Sequence, residues 1–518
     1  VLPTGTGKTI TFADIVRRRF PGRTLIVAHR QELIHQARDK VERTTGLSTG
    51  VEMAEQRTDL QSGLWGQGPT VVVTTVQTQT AGGDGGGRLR KFDPLHFDTL
   101  IVDEAHHAAA ATYRRIIDYY KANPRLRILG VTATPDRADE QALGQVFESV
   151  AYDYEISDAI ADGWLVPITQ RIVEVSSLDY SEVRTTAGDL NGADLAKVME
   201  EERNLHGIAT PCIDLLGRRR AIVFCASVSQ AERLAEILNR HRSGMASWVC
   251  GKTSDDKRRW LLQQFQAGDI QVMCNCGVLT EGFDDPGVEV IVMGRPTKSR
   301  SLYAQMVGRS TRPLPGVVDG PATPDLRRAA IAASAKTACE VMDFVGNAGR
   351  HKLVTSADIL GGKYPEETVE AATSQARKSQ KPVDMEELLA RIEAEREAKA
   401  RAEAATRMRL IAKARYTGQF VNPFDAFALS PVRVRGWHEG KALSQKQHDL
   451  LVRQGVNPEG MHYAHAKQVL DEIFRRWDNG LCSYKQARIL KQRGIDATNM
   501  SKEEASRTLD TLFKGART

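Results

Sequence analysis

The chain has 518 residues, 41% hydrophobic and 26% charged, with a formal net charge of +6, an ordinary globular composition long enough for about three domains. No apolar run approaches the roughly 18 residues that span a bilayer, and no secretory signal is visible. The seven scattered cysteines include no CxxC pair, which argues against a zinc module or a disulfide framework and for a reducing, cytoplasmic setting without a membrane partner.

The chain opens on VLPTGTGKTI. Gly5, Thr6, Gly7, Lys8 and Thr9 read as a phosphate-binding loop. Glycines let backbone N–H groups close on clustered negative charge at a helix N-terminus, Lys8 reaches the β- and γ-phosphates, and Thr9 holds Mg²⁺. The full GxxxxGK[ST] pattern would have Gly where Leu2 stands. Only Val1 and Leu2 are left of the strand that should precede such a loop, and no initiator Met is present. The expectation is a piece of a longer protein, lacking a strand interior to its sheet and so leaving unpaired edges.

Strand candidates follow at Thr24–Ala28, Thr70–Thr75, Thr99–Asp103 and Arg127–Thr132, with a glycine-rich loop at Gly82–Gly87 read as flexible surface. Continuous apolar runs between helical stretches predict a parallel sheet buried on both faces, in a domain spanning 1–165. The run LIVDEAH ends one of these strands. Asp103 is placed to bind Mg²⁺ and Glu104 to polarise an attacking water, 95 residues after Lys8.

A second α/β pattern occupies 166–360, with strands at Ala221–Ala226, Ala246–Cys250, Ile270–Asn275, Val288–Met293 and Cys339–Val345. Within it, QMVGRSTRP spaces Gln305, Arg309 and Arg312 three to four residues apart. That spacing predicts one helical face, and guanidinium groups suit charge developing on a γ-phosphate.

Residues 361–440 form the third segment. Its start, 361–383, is polar and linker-like, and Asp384–Arg415 predicts a long solvated helix with Asp384 and Glu387 as a capping pair. Tyr416, Phe420, Phe424, Phe427 and Trp437 read as a loop packing onto a neighbouring domain, with base stacking as the alternative. The last segment, 441–518, contains a repeat. Ser444–Phe474 aligns without gaps to Ser483–Phe513, each copy reading as two short helices, with Ser444 and Ser483 as N-caps, Gly455 and Gly494 as stops, and Ser501 and Glu504 as a capping box. It carries 14 Lys or Arg against 9 Asp or Glu, which hints at an acidic partner.

LPTGTGKT, AHRQELIHQ, TTVQT, DEAH, GVTATP, LTEGFDDPG and QMVGRSTRP stand in the order of superfamily 2 helicase motifs. Over residues 1–350 the chain resembles the DEAD/DEAH-box group, and within it DNA-dependent members such as XPB-like proteins and the motor subunits of type I and type III restriction enzymes. The resemblance implies two tandem RecA-like P-loop domains, followed here by the long helix and a small all-α repeat region. It implies ATP and Mg²⁺ as ligands. Gly5, Thr6, Gly7, Lys8 and Thr9 would contact nucleotide, Gly282 and Asp284 would contact nucleotide or strand near the cleft, and Gln305, Arg309 and Arg312 would complete the site. His106, Thr132 and Thr134 would couple hydrolysis to domain motion. His29, Arg30, Thr75 and Gln77 fall in motifs that touch nucleic acid, although His29 and Thr75 serve equally well as local helix or turn residues.

The expectation is an ATP-dependent helicase or translocase, with DNA favoured over RNA because of the branch it resembles. The rivals are an ATP-gated clamp using the C-terminal repeats to dock a protein, and the motor part of a restriction-type nuclease. Glu397 and Lys399 have nuclease-like spacing but fall in the solvated helix. The repeats themselves read as a packing module, or as a DNA-binding one resting on Lys446, Lys485, Arg488, Lys491 and Arg493.

Overall fold

The computed structural model describes residues 1–29, 31–53, 56–59, 68–81, 88–133, 143–186, 188–280, 283–349, 351–379, 381–413, 423–427, 429–432 and 434–514. It divides into two compact units, 1–362 with 366–392, and 363–365 with 393–518.

The first sheet contains β1 (Thr24–Ala28), β2 (Thr49–Glu52), β3 (Val71–Thr75), β4 (Thr99–Asp103) and β5 (Arg127–Val131), in the order β2-β3-β1-β4-β5. Every pairing is parallel. Alternation along each strand supplies both faces. Ile26, Ala28, Val71, Val73 and Ile101 pack against α1 (Lys8–Arg19) and α2 (Gln31–Thr45) through Phe12, Val16, Ile34 and Val41. Leu25, Val27, Val72, Leu100 and Val102 meet Phe92, Phe97 and the inner face of α4 (Ala111–Tyr120), while the short α3 (Val76–Thr80) follows β3. This double burial explains the uninterrupted apolar runs of β1, β3 and β4, whose residues are all buried. β5, last in the order, is more exposed. Beside it, Leu2 N–H donates to Thr132 O (2.9 Å), and Val1 exchanges hydrogen bonds with Tyr152 and Tyr154.

The second sheet contains β6 (Ile168–Asp179), β9 (Ala221–Cys225), β10 (Ala246–Cys250), β11 (Val272–Cys276), β12 (Val290–Gly294), β13 (Cys339–Asn347) and β14 (Val383–Asp384); β7 (Thr185–Thr186) and β8 (Asp189–Leu190) form a separate small pair. The order is β10-β11-β9-β12-β13-β6-β14, parallel except for β14. The fold is therefore α/β with parallel sheets. β2 and β6 were not legible as strands. TGVE has one large apolar residue, and β6 alternates irregularly between buried and exposed positions.

The stretch 361–379, polar in composition, is built structure rather than linker. Glu366–Arg377 is a helix that buries Thr368, Val369, Ala372 and Ala376, and Val383 joins the sheet edge opposite Gln170. The helix Met385–Lys413 starts where Asp384 accepts from the N–H groups of Glu386 and Glu387, both at 3.0 Å.

In the second unit, helices Gln445–Gln454, Tyr463–Asp478, Tyr484–Gln492 and Lys502–Lys514 share one core. Ser444 and Ser483 cap the first helix of each copy, and Gly455 and Gly494 adopt positive φ at its end. Phe424 and Phe427 are buried in this core and Trp437 is also buried, so these aromatics are used in packing. Tyr416, Phe420 and the Gly82–Gly87 loop lie outside the described residues.

Candidate functional site: a cleft between two parallel sheets

The first wall is the loop entering α1. Gly5 and Gly7 sit at φ +90° and +88°, a region that only glycine occupies cheaply. Gly7 caps the helix without a side chain, and a methyl group placed on it would meet nothing within 4 Å. The first-turn N–H groups thus begin beside open space, as an anion cradle requires. Thr6 closes the loop by donating its hydroxyl to Pro3 O at 2.8 Å.

Parallel strand order brings the end of β4 beside this loop. Lys8 Nζ lies 3.7 Å from Glu104 Oε1, and both side chains are largely buried. Glu104 takes φ +48°, the one positive value among described non-glycine residues; such strain concentrates at functional sites. Its Oε2 is buried and accepts no hydrogen bond, with His106 Nδ1 at 3.5 Å. Burial pushes the Glu104 carboxyl upward, but the charges of Lys8, His106, Arg309 and His107 outweigh it and hold the pKa below the ordinary value. His106 Nδ1 also lies 3.0 Å from Thr132 Oγ1, joining the end of β4 to the end of β5. Asp103 is buried next to Glu104, whose N–H it accepts at 3.0 Å.

The opposite wall comes from the second sheet, and here one expectation needs correction. Gln305, Arg309 and Arg312 do not share a helical face. The helix Arg300–Val307 ends before both arginines, with Gly308 as its C-cap. Pro313 disfavours helical backbone at Arg312. Gln305 is buried within the helix and does not line the cleft, whereas Arg309 and Arg312 reach it from the turn beyond. Arg309 donates to Thr280 O (3.1 and 2.8 Å) and to Phe283 O (2.7 Å), and Arg312 pairs with Asp284. Contact across the cleft is direct. A methyl group on Gly308 would sit 2.7 Å from Thr4 Cβ, and one on Gly5 would sit 3.2 Å from Arg312 Cγ.

The cleft holds about 100 Å³ and is lined by Thr4, Gly5, Gly7, Lys8, Thr9, Asp103, Glu104, Asp284, Gly308, Arg309 and Arg312. Phe283 and three residues of α2, Leu33, Gln36 and Lys40, complete it. Sequence reasoning missed these four. The i, i+3, i+7 spacing of Leu33, Gln36 and Lys40 was an available signal for one helix face.

Of the residues assigned to nucleic acid, His29, Thr75 and Gln77 do not line this cleft. Thr75 is buried and caps α3, accepting from Thr78 N–H at 3.1 Å. His29 packs its ring 5.1 Å from that of His107, and Gln77 is exposed on α3. Arg30, Thr134 and Gly282 lie outside the described residues.

Residues 1–137 match the family described as type III restriction enzyme, res subunit, and residues 209–313 match the helicase conserved C-terminal domain. The two helicase-type family models thus match in tandem, one on each parallel sheet domain. Among curated relatives, it is 29% identical over 376 residues to "Putative ATP-dependent helicase IRC3" of Saccharomyces cerevisiae, covering 70% of this chain and 50% of that one. It is 26% identical to the type I restriction enzyme EcoAI endonuclease subunit of Escherichia coli, covering 60% and 41%. It is 24% identical to the DNA 3'-5' translocase XPB2 of Sulfurisphaera tokodaii, covering 60% and 74%. The chain thus spans about half the length of the IRC3 sequence.

Proposed function

We propose that this helicase core is an ATP-driven motor on DNA, with two RecA-like domains closing on a nucleoside triphosphate. The observation that carries the reading is the cleft itself. It gathers the loop Gly5–Thr9, the Lys8–Glu104 pair and two arginines from the second sheet around one space. Lys8 and the α1 N-terminus would bind the phosphates. Thr9 and Asp103 would hold Mg²⁺, which when bound neutralises charge on the phosphate oxygens. The Oε2 of ionised Glu104, which accepts no hydrogen bond, would orient a water and take its proton. Arg309 and Arg312 would meet charge developing on the γ-phosphate. A cleft of about 100 Å³ is below the roughly 300–1,000 Å³ usual for small-molecule pockets, so nucleotide entry requires its walls to part. That motion would pass through the His106–Thr132 contact to the surface that grips nucleic acid.

DNA is preferred over RNA because the relative XPB2 is named for DNA. Seven free thiols suit a reducing compartment such as cytoplasm, and among the described residues no helix is long and apolar enough to cross a membrane. One observation favours a second role for the C-terminal helices. Phe474 and Trp477 are 45% and 46% exposed and stack edge to face at 5.5 Å, which suits docking of a protein partner. Glu397, by contrast, is engaged by Arg401 of its own helix at 2.9 Å, which weakens the nuclease alternative.

The test is steady-state ATP hydrolysis alone and with single-stranded, duplex and forked DNA and with RNA. We expect stimulation by a DNA form, its loss in Lys8→Ala, and a steep decline with salt as phosphate contacts are screened. Hydrolysis that Lys8→Ala leaves intact would overturn the reading.

A further inference from the structure

Lys40 is the one cleft-lining cation that none of the helicase motifs explains. It lies on α2, one face of which, Leu33–Gln36–Lys40, forms a cleft wall. The other cations there are engaged. Lys8 faces Glu104, Arg312 pairs with Asp284, and Arg309 is tied to two backbone carbonyls. Lys40 is half-buried, yet among the described residues its ammonium makes no hydrogen bond and no ion pair. Burial lowers its pKa, and the Arg312 charge lowers it further, while Asp284 and Asp103 only partly offset this. Withdrawing a charge from water beside a like charge is unfavourable unless an anion comes to meet it. The lining side chains as a whole carry four cations, Lys8, Lys40, Arg309 and Arg312, against the carboxylates of Asp103, Glu104 and Asp284. The surplus is one positive charge.

We propose that Lys40 is a direct phosphate contact of the nucleotide site, supplied by α2 and separate from the phosphate loop and from the two arginines. The inference rests on the ATP reading above. Its ligand class is a nucleoside di- or triphosphate, recognised through its phosphate oxygens. It assigns Lys40 a cost in the empty protein that the bound anion relieves, so affinity and stability should respond in opposite directions.

The experiment uses the full chain and measures binding of ATP and of ADP, each with Mg²⁺, by calorimetry, alongside thermal melting without nucleotide. The proteins are the parent, Lys8→Ala, Lys40→Gln and Lys40→Arg. A charge-assisted hydrogen bond lost from the site should weaken binding by roughly 10- to 100-fold in Lys40→Gln, with Lys40→Arg keeping most of the affinity. Without nucleotide, Lys40→Gln should melt no lower than the parent, an outcome that a merely structural lysine would not produce. If Lys40→Gln melts early, Lys40→Met replaces it, keeping the stem and removing the charge. Unchanged affinity in the Lys40 variants, with binding lost in Lys8→Ala, overturns this proposal and leaves the ATP reading standing. A parent chain that does not bind ATP overturns the ATP reading, and this proposal with it.

Discussion

Glu104 shows how one side chain can be buried and remain charged. Lys8 foremost, with His106, Arg309 and His107, holds its carboxyl below the ordinary range in spite of burial. A depressed carboxyl pKa stabilises the fold above the unfolded pKa, and that stability is lost as pH falls through the folded value. The residue should therefore be ionised throughout the neutral range, and activity should not require raised pH. Glu104→Gln keeps the shape and removes the base. Its kcat should fall by about 10²–10⁴ with nucleotide affinity little changed, as single-turnover and binding measurements would show. Asp343 is the opposite case. It is buried under Tyr303 and Gln170, which both donate to it, and burial pushes its pKa up to about 6. A raised folded pKa contributes stability below the unfolded value, and this is lost as pH rises through about 6. Between about pH 4 and 6 this carboxyl should thus remove about 3 kcal/mol of stability. Asp343→Asn should flatten that part of the stability–pH curve in denaturant titrations. DEAH marked Glu104 in the sequence as a carboxylate with chemistry to do. Nothing local marked Asp343, because its environment comes from Gln170 and Tyr303, 173 and 40 residues away.

At the scale of elements, strand–loop–helix junctions position the site more than the helices do. The two arginines lie past the end of Arg300–Val307, and the approach of that helix end to the phosphate loop depends on Gly308 having no side chain. Gly308→Ala would set a methyl group 2.7 Å from Thr4 Cβ and 3.0 Å from Ala304 O. Neither atom is the free end of a flexible chain, so the walls must separate. A displacement near 1 Å at such a site costs about 10²-fold in rate, and we expect a loss of that order in kcat. Adding Thr4→Gly should restore part of it, because it removes the atom struck; equal rates in the single and double variants would count against this geometry. The spacing of Gln305, Arg309 and Arg312 suggested a helical face because period 3.6 is all that a local pattern can report. Where the helix stops was decided by Gly308 and Pro313, whose effect depends on the turn between them.

Over the whole molecule, the two compact units have cores of different origin. The first unit's sheets are filled by strand residues that alternate between two faces. The second unit's core is pinned by Arg476, buried at 1% exposure and donating to the carbonyls of Cys482 (2.8 Å), Ala497 (2.9 Å) and Thr498 (2.7 Å). Arg476→Ala would leave those acceptors unmet. At about 1–3 kcal/mol for each unsatisfied buried group, the loss should reach several kcal/mol. A calorimetric transition belonging to the C-terminal helices should then drop by at least about 10 °C, and an unchanged scan would show that the carbonyls find other donors.

What the sequence by itself determined is whatever local pattern and motif chemistry can encode. β1 and β4 were readable residue for residue because both faces of a central strand must be apolar; β10, although it ends its sheet, was readable from its short run of large apolar residues, and the Gly5–Gly7 turn because positive φ demands glycine. The Ser444 and Ser483 caps were readable because an N-cap is a contact between close neighbours. Long-range assembly decided the rest. β2 and β6 take their places from pairing partners rather than from their own composition, and residues 366–377 become a packed helix only because the first unit offers a surface for them. Lys40 enters the cleft because α2 is held against α1 by the core around Phe12 and Ile34. A lysine's role depends on what its ammonium faces, and that is set by chain hundreds of residues away.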